Sequence, residues 1–202
     1  MTKSDLPQIP QYKVRVWEIV AVFASSMLLV SAAIFGLTLK FIANAFNPQR
    51  AEAIANNIMD YQIPGSSQGL LGLNIAGAKI ALITSKSEDP DVQLLVARVP
   101  VNAQTDKSQI EQILDNTFLG GTEEAFQVTS ARVENKNFCN FSVPVRLKEG
   151  QLTLPERPFP VFAVNYRTSV TLSRNRYFVI MLTRGEDARQ KAATVFSSLK
   201  CK

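Results

Sequence analysis

The sequence predicts an α+β fold in which a single N-terminal transmembrane helix precedes an antiparallel β-sheet domain flanked by helices. The first observation is an uncharged apolar run from Ile19 to Leu39. The second is the order of the later patterns, in which helical segments separate groups of strands without βαβ alternation. We therefore divide the 202 residues into a cytoplasmic tail over 1–16, an anchor over 17–46 and one extracytoplasmic domain over 47–202.

The run from Ile19 to Leu39 is long enough to cross a bilayer, because an α-helix of this length rises about 31 Å. Trp17 at one end and Lys40 at the other are the aromatic and basic residues expected at membrane interfaces. Lysine and arginine are slightly more frequent before the run than directly after it, which predicts a cytoplasmic N-terminus. The domain is then expected in a periplasm or a thylakoid lumen, on a single-pass membrane protein.

A cleaved signal peptide is the competing interpretation of the same segment. Ala43, Asn44 and Ala45 have the small-x-small form of a cleavage site. The apolar run is longer than the roughly 7–15 residues of a signal peptide, and Lys40 interrupts the approach to the site. We therefore expect a retained anchor.

A short amphipathic helix is predicted directly after the anchor. Asn47 suits the N-cap and Pro48 the first helical position. The apolar residues that share one face of this helix are Ala51, Ile54, Ala55 and Ile58. Proline and glycine predict a turn or loop over 64–69. The strands predicted next cover 72–76, 79–84 and 92–99.

The second half is predicted to consist of two helices around a group of strands. Asp106 and Gln109 have capping-box spacing, so a helix is expected to begin at Thr105 or Asp106 and to end at Gly120. The period-two segments predict strands over 126–134, 138–147, 152–154, 161–172 and 177–183, with residues 174–176 as a hairpin connection. A last helix over 187–199 carries apolar residues at helical spacing and is expected to cover one face of the sheet.

The composition excludes several classes of enzyme and binding protein. Histidine is absent, which removes Ser-His-Asp and Cys-His catalysis together with the commonest metal ligand. Two cysteines cannot form a Cys-rich zinc site, and the acidic turn over 88–91 lacks the spacing of a calcium loop. No phosphate-binding glycine motif occurs, and no dense basic run suggests nucleic-acid binding. We expect no catalytic residue, no cofactor and no metal, and hence no enzyme.

The two cysteines are candidates for a structural disulfide. Cys139 is predicted in the middle of a strand, and Cys201 lies just past the last helix. A bridge between them would close a loop of about 60 residues and stabilise the domain by about 4 kcal/mol in the loop-entropy model. The alternative is a buried Cys139 that packs as a small apolar residue and a free Cys201.

Charge is distributed unevenly along the domain. Residues 47–125 carry 5 basic and 10 acidic side chains, whereas residues 126–202 carry 13 basic and 5 acidic ones. One interpretation is that the fold interleaves the two halves, so that their charges pair across the surface. The other is a basic face that meets an acidic partner or anionic lipid headgroups.

The segments 61–65, 177–183 and 196–199 read YQIPG, YFVIMLT and FSSL. In these segments, and in its layout over most of residues 58–199, the chain resembles the lumenal and periplasmic domains of the PsbP-like type. The resemblance implies an antiparallel sheet flanked by helices, and a non-catalytic domain that supports or helps assemble a membrane complex, photosynthetic complexes included. A permanent anchor departs from the soluble members of that family, and no metal or partner-binding residue can be matched. The resemblance therefore implies a fold and an accessory role without a site.

Two functional hypotheses follow. The first is a non-enzymatic accessory or assembly subunit that contacts the membrane through one helix and a protein partner through its domain. The second is a tethered ligand-binding or sensory domain for a small molecule or lipid. An apolar pocket under the loop over 64–69 would favour the second hypothesis.

Overall fold

The computed structural model describes residues 15–101, 126–155 and 157–202. The described residues form an N-terminal apolar helix, a seven-stranded antiparallel sheet and two further helices, so the α+β class is confirmed. It divides into two compact units, residues 1–42 and 43–202. The helices within the described residues are α1 (Val16–Ala45), α2 (Pro48–Ile58) and α3 (Ala188–Ser198). The helix predicted over 105–120 lies outside the described residues.

Helix α1 is able to cross a membrane, by its length and composition. It has 30 residues, its most apolar window has a mean hydropathy of 2.3, and none of that window is buried. The predicted anchor residues Trp17, Ile19, Leu39 and Lys40 all lie in this helix with exposed side chains. Within it, the Ser25 and Ser26 hydroxyls donate to the Val22 carbonyl, and Thr38 Oγ1 donates to the Ile34 oxygen at 2.9 Å. These three hydroxyls are thus satisfied inside the helix, as an apolar environment requires.

The strands form one large sheet and one small ribbon. The strands are β1 (Met59–Asp60), β2 (Ser67–Ile75), β3 (Ala78–Ser85), β4 (Val92–Pro100), β5 (Phe126–Phe138), β6 (Phe141–Leu152), β7 (Val161–Leu172), β8 (Asn175–Arg184) and β9 (Lys200–Cys201). The sheet has the order β2-β3-β4-β8-β7-β6-β5, and every neighbouring pair is antiparallel. Strands β1 and β9 pair separately, also antiparallel. The two faces of the large sheet therefore differ in what covers them.

The helix-covered face of the sheet carries the main core. Both α2 and α3 pack on it, α2 against β2 to β4 and α3 mainly against β7 and β8. Alternate strand residues point into this core because side chains alternate between faces. The buried strand residues of this core include Ala81, Ile83, Leu94, Val96, Val145, Leu147, Val164, Tyr166, Val179 and Met181. We call the opposite face of the sheet the second face.

Helix α2 lies directly on the backbone of β2. Its N-cap is Asn47, whose side-chain oxygen accepts a hydrogen bond from the Arg50 N–H at 3.0 Å, as the sequence predicts. A Cβ added at Gly69 would lie 2.3 Å from the Pro48 carbonyl oxygen, and one at Gly72 would lie 2.7 Å from the Ala51 Cα. Only glycine allows this approach. The space under the predicted loop is therefore filled by a helix.

Four predicted boundaries are wrong. The loop over 64–69 ends earlier, because Ser67 already pairs with Ser85 in β2 and β3. Strand β5 continues without a break to Phe138. Strand β6 continues to Leu152, which pairs with Phe126 of β5 and with Val161 of β7, so no separate strand covers 152–154. The last hairpin turns before Asn175, which belongs to β8. In each case cross-strand pairing extended a strand beyond its period-two segment.

The position of Cys139 was also predicted wrongly. Cys139 and Asn140 form the two-residue turn between β5 and β6, with φ angles of 52° and 66°. Positive φ at both central residues is the geometry of a type I′ hairpin, whose twist matches the flanking strands. Asparagine tolerates this conformation, but a cysteine beside it gives no turn signal. The cysteine therefore lies at a hairpin tip and not within a strand.

Candidate functional site

A groove in the second face is the candidate functional site. Its volume is about 360 Å³. Its lining comprises Val133, Pro144, Arg146, Arg167, Thr168, Ser169, Arg176, Phe178 and Ile180. Three of these residues are arginines, and none of the described lining residues is acidic. We call this feature the basic groove.

Strand register places the groove residues side by side. Val133 on β5 pairs with Arg146 on β6, Arg146 pairs with Arg167 on β7, and Arg167 pairs with Ile180 on β8. Directly paired residues share a face of the sheet. Arg146 and Arg167 are therefore neighbours in one cross-strand row, with Val133 on one side of the pair and Ile180 on the other.

The third arginine is held in place by two contacts. The Arg176 guanidinium donates a hydrogen bond to Ser169 Oγ at 3.0 Å and lies 5.0 Å from the centre of the Phe178 ring. Stacking on an aromatic face is favourable for arginine and limits its side-chain freedom. Arg167 and Arg176 also make further interactions.

The basic character of the second face extends along the strands. Lys148 lies two residues after Arg146, and it pairs with Asn165, two residues before Arg167. Asn165 is only 4% exposed, and its Nδ2 finds no hydrogen-bond acceptor among the described residues. Arg146 and Lys148 form no ion pair with any described residue. This part of the sheet therefore presents cationic and donor groups.

Elsewhere the charges of the two sequence halves pair with each other. Asp60 contacts Lys202 at 2.6 Å, and Asp91 contacts Lys191 at 2.6 Å. Asp89 lies between two further guanidinium groups, those of Arg157 and Arg184. These pairs are the interleaving described by the first interpretation of the charge pattern. The acidic turn over 88–91 is thus paired with basic side chains. The basic groove corresponds to the second interpretation, a basic face on the domain.

A buried carboxylate joins α3 to the sheet. The Glu149 side chain is 5% exposed and accepts hydrogen bonds from Arg189 at 2.7 and 3.1 Å and from Arg132 at 3.2 Å. The Arg189 hydrogen bond lowers the pKa of Glu149, and Arg132 adds to this, although desolvation opposes them. The Arg189 guanidinium also lies 5.0 Å from the Phe162 ring centre. This cluster lies on the helix-covered face, where it connects α3 to strands β5 and β6 and so has a structural role.

The two cysteines form the predicted disulfide. Cys139 and Cys201 are 62 residues apart in sequence, and their Cα atoms are 5.1 Å apart. The bridge connects the β5–β6 turn to β9, where Cys201 pairs with Met59 of β1. The Tyr177 hydroxyl donates to the Lys202 carbonyl at 2.6 Å. Residues 200–202 are therefore held to the rest of the domain by the disulfide, by pairing with β1 and by this hydrogen bond.

The described residues offer limited chemistry beyond binding. They contain no group of three or more Cys, Asp or Glu side chains that could hold a metal ion. The groove lining supplies guanidinium donors, two hydroxyls and apolar surface. The positive charge and the hydrogen-bond donors of this lining can attract an anion.

Sequence reasoning did not identify the groove. Arg146 and Arg167 are distant in sequence, and only the register of β6 and β7 makes them neighbours. A partial signal exists, because Arg146 and Lys148 are two residues apart in a strand segment and therefore share a face. Arg174 and Arg176 have the same spacing, but only Arg176 lies in a strand.

No protein-family model matches the chain. No curated protein matches it either. Among solved structures, a similar chain is LpqN of Mycobacterium tuberculosis, described as involved in cell envelope biogenesis. The two chains are 10% identical with a TM-score of 0.42, and the match covers 70% of this chain and 82% of LpqN.

Proposed function

We propose that this chain is a non-enzymatic accessory or assembly subunit of a larger membrane complex, photosynthetic complexes included. Helix α1 anchors it with a cytoplasmic N-terminus, and the domain lies in a periplasm or thylakoid lumen. The PsbP-like resemblance supports this role. The observation that carries the proposal is the basic groove, with Lys148 beside it, on a sheet face that neither α2 nor α3 covers.

Electrostatics explains why such a face suits docking. Complementary charge raises the association rate and orients partners, while like-charged surfaces are rejected. Arg146 and Lys148 lie two residues apart on β6 and share the second face, so their charges are close together. Val133, which pairs with Arg146 and is 64% exposed, adds apolar contact area. The expected partner is an acidic surface of a membrane protein complex.

Co-purification of the full chain from its native membranes in mild detergent tests this proposal. The variant Arg146→Glu reverses one charge in the groove, and Lys86→Glu makes the same change in the exposed turn after β3. We expect one stoichiometric partner with the wild type and Lys86→Glu, and loss of that partner with Arg146→Glu. Raising the salt concentration should also release it, because exposed charges are screened. Recovery of a lone monomer in every case would refute the accessory role.

A tethered ligand-binding or sensory domain is the second candidate. An apolar pocket beneath residues 64–69 would have favoured it, but α2 packs closely against Gly69 and Gly72. The basic groove supports it instead, because about 360 Å³ falls in the range of small-molecule sites. Titration with ligands separates this function from protein docking.

A further inference from the structure

We infer that the exposed edge strand β5 pairs with the same strand of a second copy of this chain, so that the protein forms a two-fold symmetric dimer. The pairing is antiparallel, with Val133 on the two-fold axis opposite its own copy. The seven-stranded sheets of the two copies then join into one continuous sheet. This inference goes beyond the proposed function, because an acidic partner at the basic groove and a second copy at β5 are separate contacts.

Strand β5 is a long edge strand whose outer side is open. It is the last strand of the sheet and pairs only with β6 among the described strands. It has 13 residues, and every residue from Gln127 to Val133 is exposed. No described backbone hydrogen bond outside the sheet involves a residue of β5. Such an edge presents unpaired N–H and C=O groups, which are a template for another strand.

The position of Pro144 on β6 shows which backbone groups of β5 point outward. Asn135 pairs with Pro144, and proline has no N–H to donate. The Pro144 carbonyl accepts a hydrogen bond from Thr168 Oγ1 of β7 at 2.9 Å, so it points away from β5. Asn135 and Pro144 are therefore a non-hydrogen-bonded pair. Because the two kinds of pair alternate along an antiparallel ladder, the N–H and C=O groups of Ala131, Val133 and Asn135 all point outward.

These outward groups match their own copies about a two-fold axis at Val133. In that register Val133 lies opposite Val133 of the second copy, and Ala131 lies opposite Asn135 of the second copy. Each of these pairs exchanges two backbone hydrogen bonds, because the groups of both residues point toward the partner strand. The Val133 side chains, each 64% exposed in the single chain, then lie side by side on the second face. The pairing therefore satisfies backbone groups and covers apolar surface together.

The charged side chains of β5 are complementary to their own copies in this register. Arg132 lies opposite Glu134 of the second copy, and the symmetry repeats this pair on the other side of the axis. Opposite charges in directly paired positions stabilise a strand pair, whereas like charges destabilise it. A two-fold axis at Arg132 or at Glu134 would place that charge opposite itself. An axis at Asn135 would pair only residues 132–138, so an axis at Val133 gives the longest complementary overlap.

Two features that commonly protect edge strands, a bulge and a lysine, do not block this pairing. The bulge of β5 lies between Val128 and Ser130, outside the central pairs formed by residues 131–135. Lys136 contacts Glu134 at 2.8 Å, so its charge is compensated within the chain. In the dimer, Lys136 lies opposite Ser130 of the second copy and meets no like charge there. The centre of β5 is therefore open to a second strand.

Repulsion between the basic grooves of the two copies is weak. Arg146 pairs with Val133 on the inner side of β5, so the two copies of Arg146 lie three strand spacings apart, or about 14 Å. Exposed charges at this separation are largely screened, since the Debye length is about 8 Å at physiological ionic strength. The dimer therefore places two basic grooves on one sheet without a large electrostatic cost.

Sedimentation of the full chain in detergent, over a range of protein concentrations, tests the inference. We expect a reversible dimer for the wild type. Val133→Pro removes an outward N–H, at an edge position where proline is tolerated, and should raise the dimer dissociation constant at least tenfold. Glu134→Lys places like charges opposite each other and should raise it about tenfold. Glu88→Lys makes the same charge change in an exposed turn and should leave it unchanged. Circular dichroism verifies the fold of each variant.

Cysteine cross-linking tests the register. A short bifunctional maleimide should join Val133→Cys to its copy, because the Cα atoms of a hydrogen-bonded pair are about 5.5 Å apart. Asn137→Cys is the matched control on the same exposed strand. Its two copies would lie about eight residues, or 27 Å, apart along the paired strands and should not be joined. The native cysteines form a disulfide and do not react with the maleimide.

Several results would overturn the inference. One is a wild-type protein that stays monomeric at every concentration. Another is a dimer that Val133→Pro does not weaken, since another surface, such as α1, would then hold the copies together. Cross-linking of Val133→Cys to a different protein in native membranes would overturn it in favour of strand addition by that protein. Arg146→Glu should retain the dimer, so recovery of this homodimer without any other protein would support the inference and count against the accessory role.

Discussion

Removal of the disulfide should cost the domain about 4 kcal/mol of unfolding free energy. The bridge joins residues 62 apart, and closing such a loop in the unfolded chain lowers its entropy by about 14 cal/mol/K, or about 4 kcal/mol at 25 °C. The Cα separation of 5.1 Å is within the usual range, so the native backbone accommodates the bond. For a domain of this size, the midpoint of thermal unfolding should fall by roughly 8–16 °C.

The assay is urea unfolding of the full chain in detergent, followed by near-ultraviolet circular dichroism. This signal reports the domain tyrosines Tyr61, Tyr166 and Tyr177. The variant Cys139→Ala/Cys201→Ala is compared with the wild type by linear extrapolation to zero urea. Alanine at position 139 is as unfavourable in the positive-φ conformation as cysteine, so the difference in unfolding free energy between the two proteins reports the disulfide bond.

Reduction provides the matched control for this prediction. A thiol reductant should lower the stability of the wild type to that of the double variant and should leave the variant unchanged. A difference below about 1 kcal/mol would show that loop closure does not stabilise the domain in the way the entropy model requires. Two alkylatable thiols in the protein isolated without reductant would refute the bond itself.

Three other perturbations test the fold and the anchor. Glu149→Gln should destabilise the domain by about 1–3 kcal/mol in urea unfolding at neutral pH, whereas Glu134→Gln, in a more exposed ion pair, should cost less than about 1 kcal/mol. Because the pKa of Glu149 is lowered in the folded state, its contribution to stability is fully present above the unfolded pKa. It should decrease below that value and be lost as the pH falls through the lower folded pKa. Persistence of the whole difference in acid would contradict this account. Gly69→Ala should lower the free energy of unfolding by about 1–3 kcal/mol, because the added methyl group forces α2 away from β2. The exposed control Gln68→Ala should change it little. Equal stability of the two variants would show that α2 moves without a loss of stability. Leu29→Arg should raise the free energy of membrane insertion by roughly 3–4 kcal/mol, so alkaline carbonate should extract more of this variant than of Leu29→Ile; equal extraction would refute a spanning α1.

Local patterns were sufficient where the chain forms its elements independently of distant residues. The start of α2 could be predicted because Asn47 and Pro48 carry the capping pattern, and its buried face followed from helical spacing. Strands β3, β4, β7 and β8 were predicted within a few residues because alternation or apolar runs marked them. The extra length of β5 came from its pairing with β6, because β5 is mostly exposed and its alternation is weak. The extension of β6 to Leu152 came from pairing with both β5 and β7.

The groove could not be predicted because it depends on register. A shift of one residue between β6 and β7 would place Arg146 and Arg167 on opposite faces. Their pairing is specified by the long β5–β6 hairpin and by the core residues on the helix-covered face. No local pattern contains this information. For the same reason, the charge imbalance left a basic face as one of two interpretations and indicated none of its residues.

The amino-acid sequence by itself determined the apolar N-terminal helix, the α+β class and the two cysteines as candidates for a bond, because length, periodicity and composition act locally. Tertiary structure alone decided that Cys139 lies in a hairpin turn, that α2 closes the space beside Gly69 and Gly72, and that three arginines converge in one groove. These features depend on contacts between residues far apart in the chain. Such contacts form only when the core has selected one register and one packing of the helices.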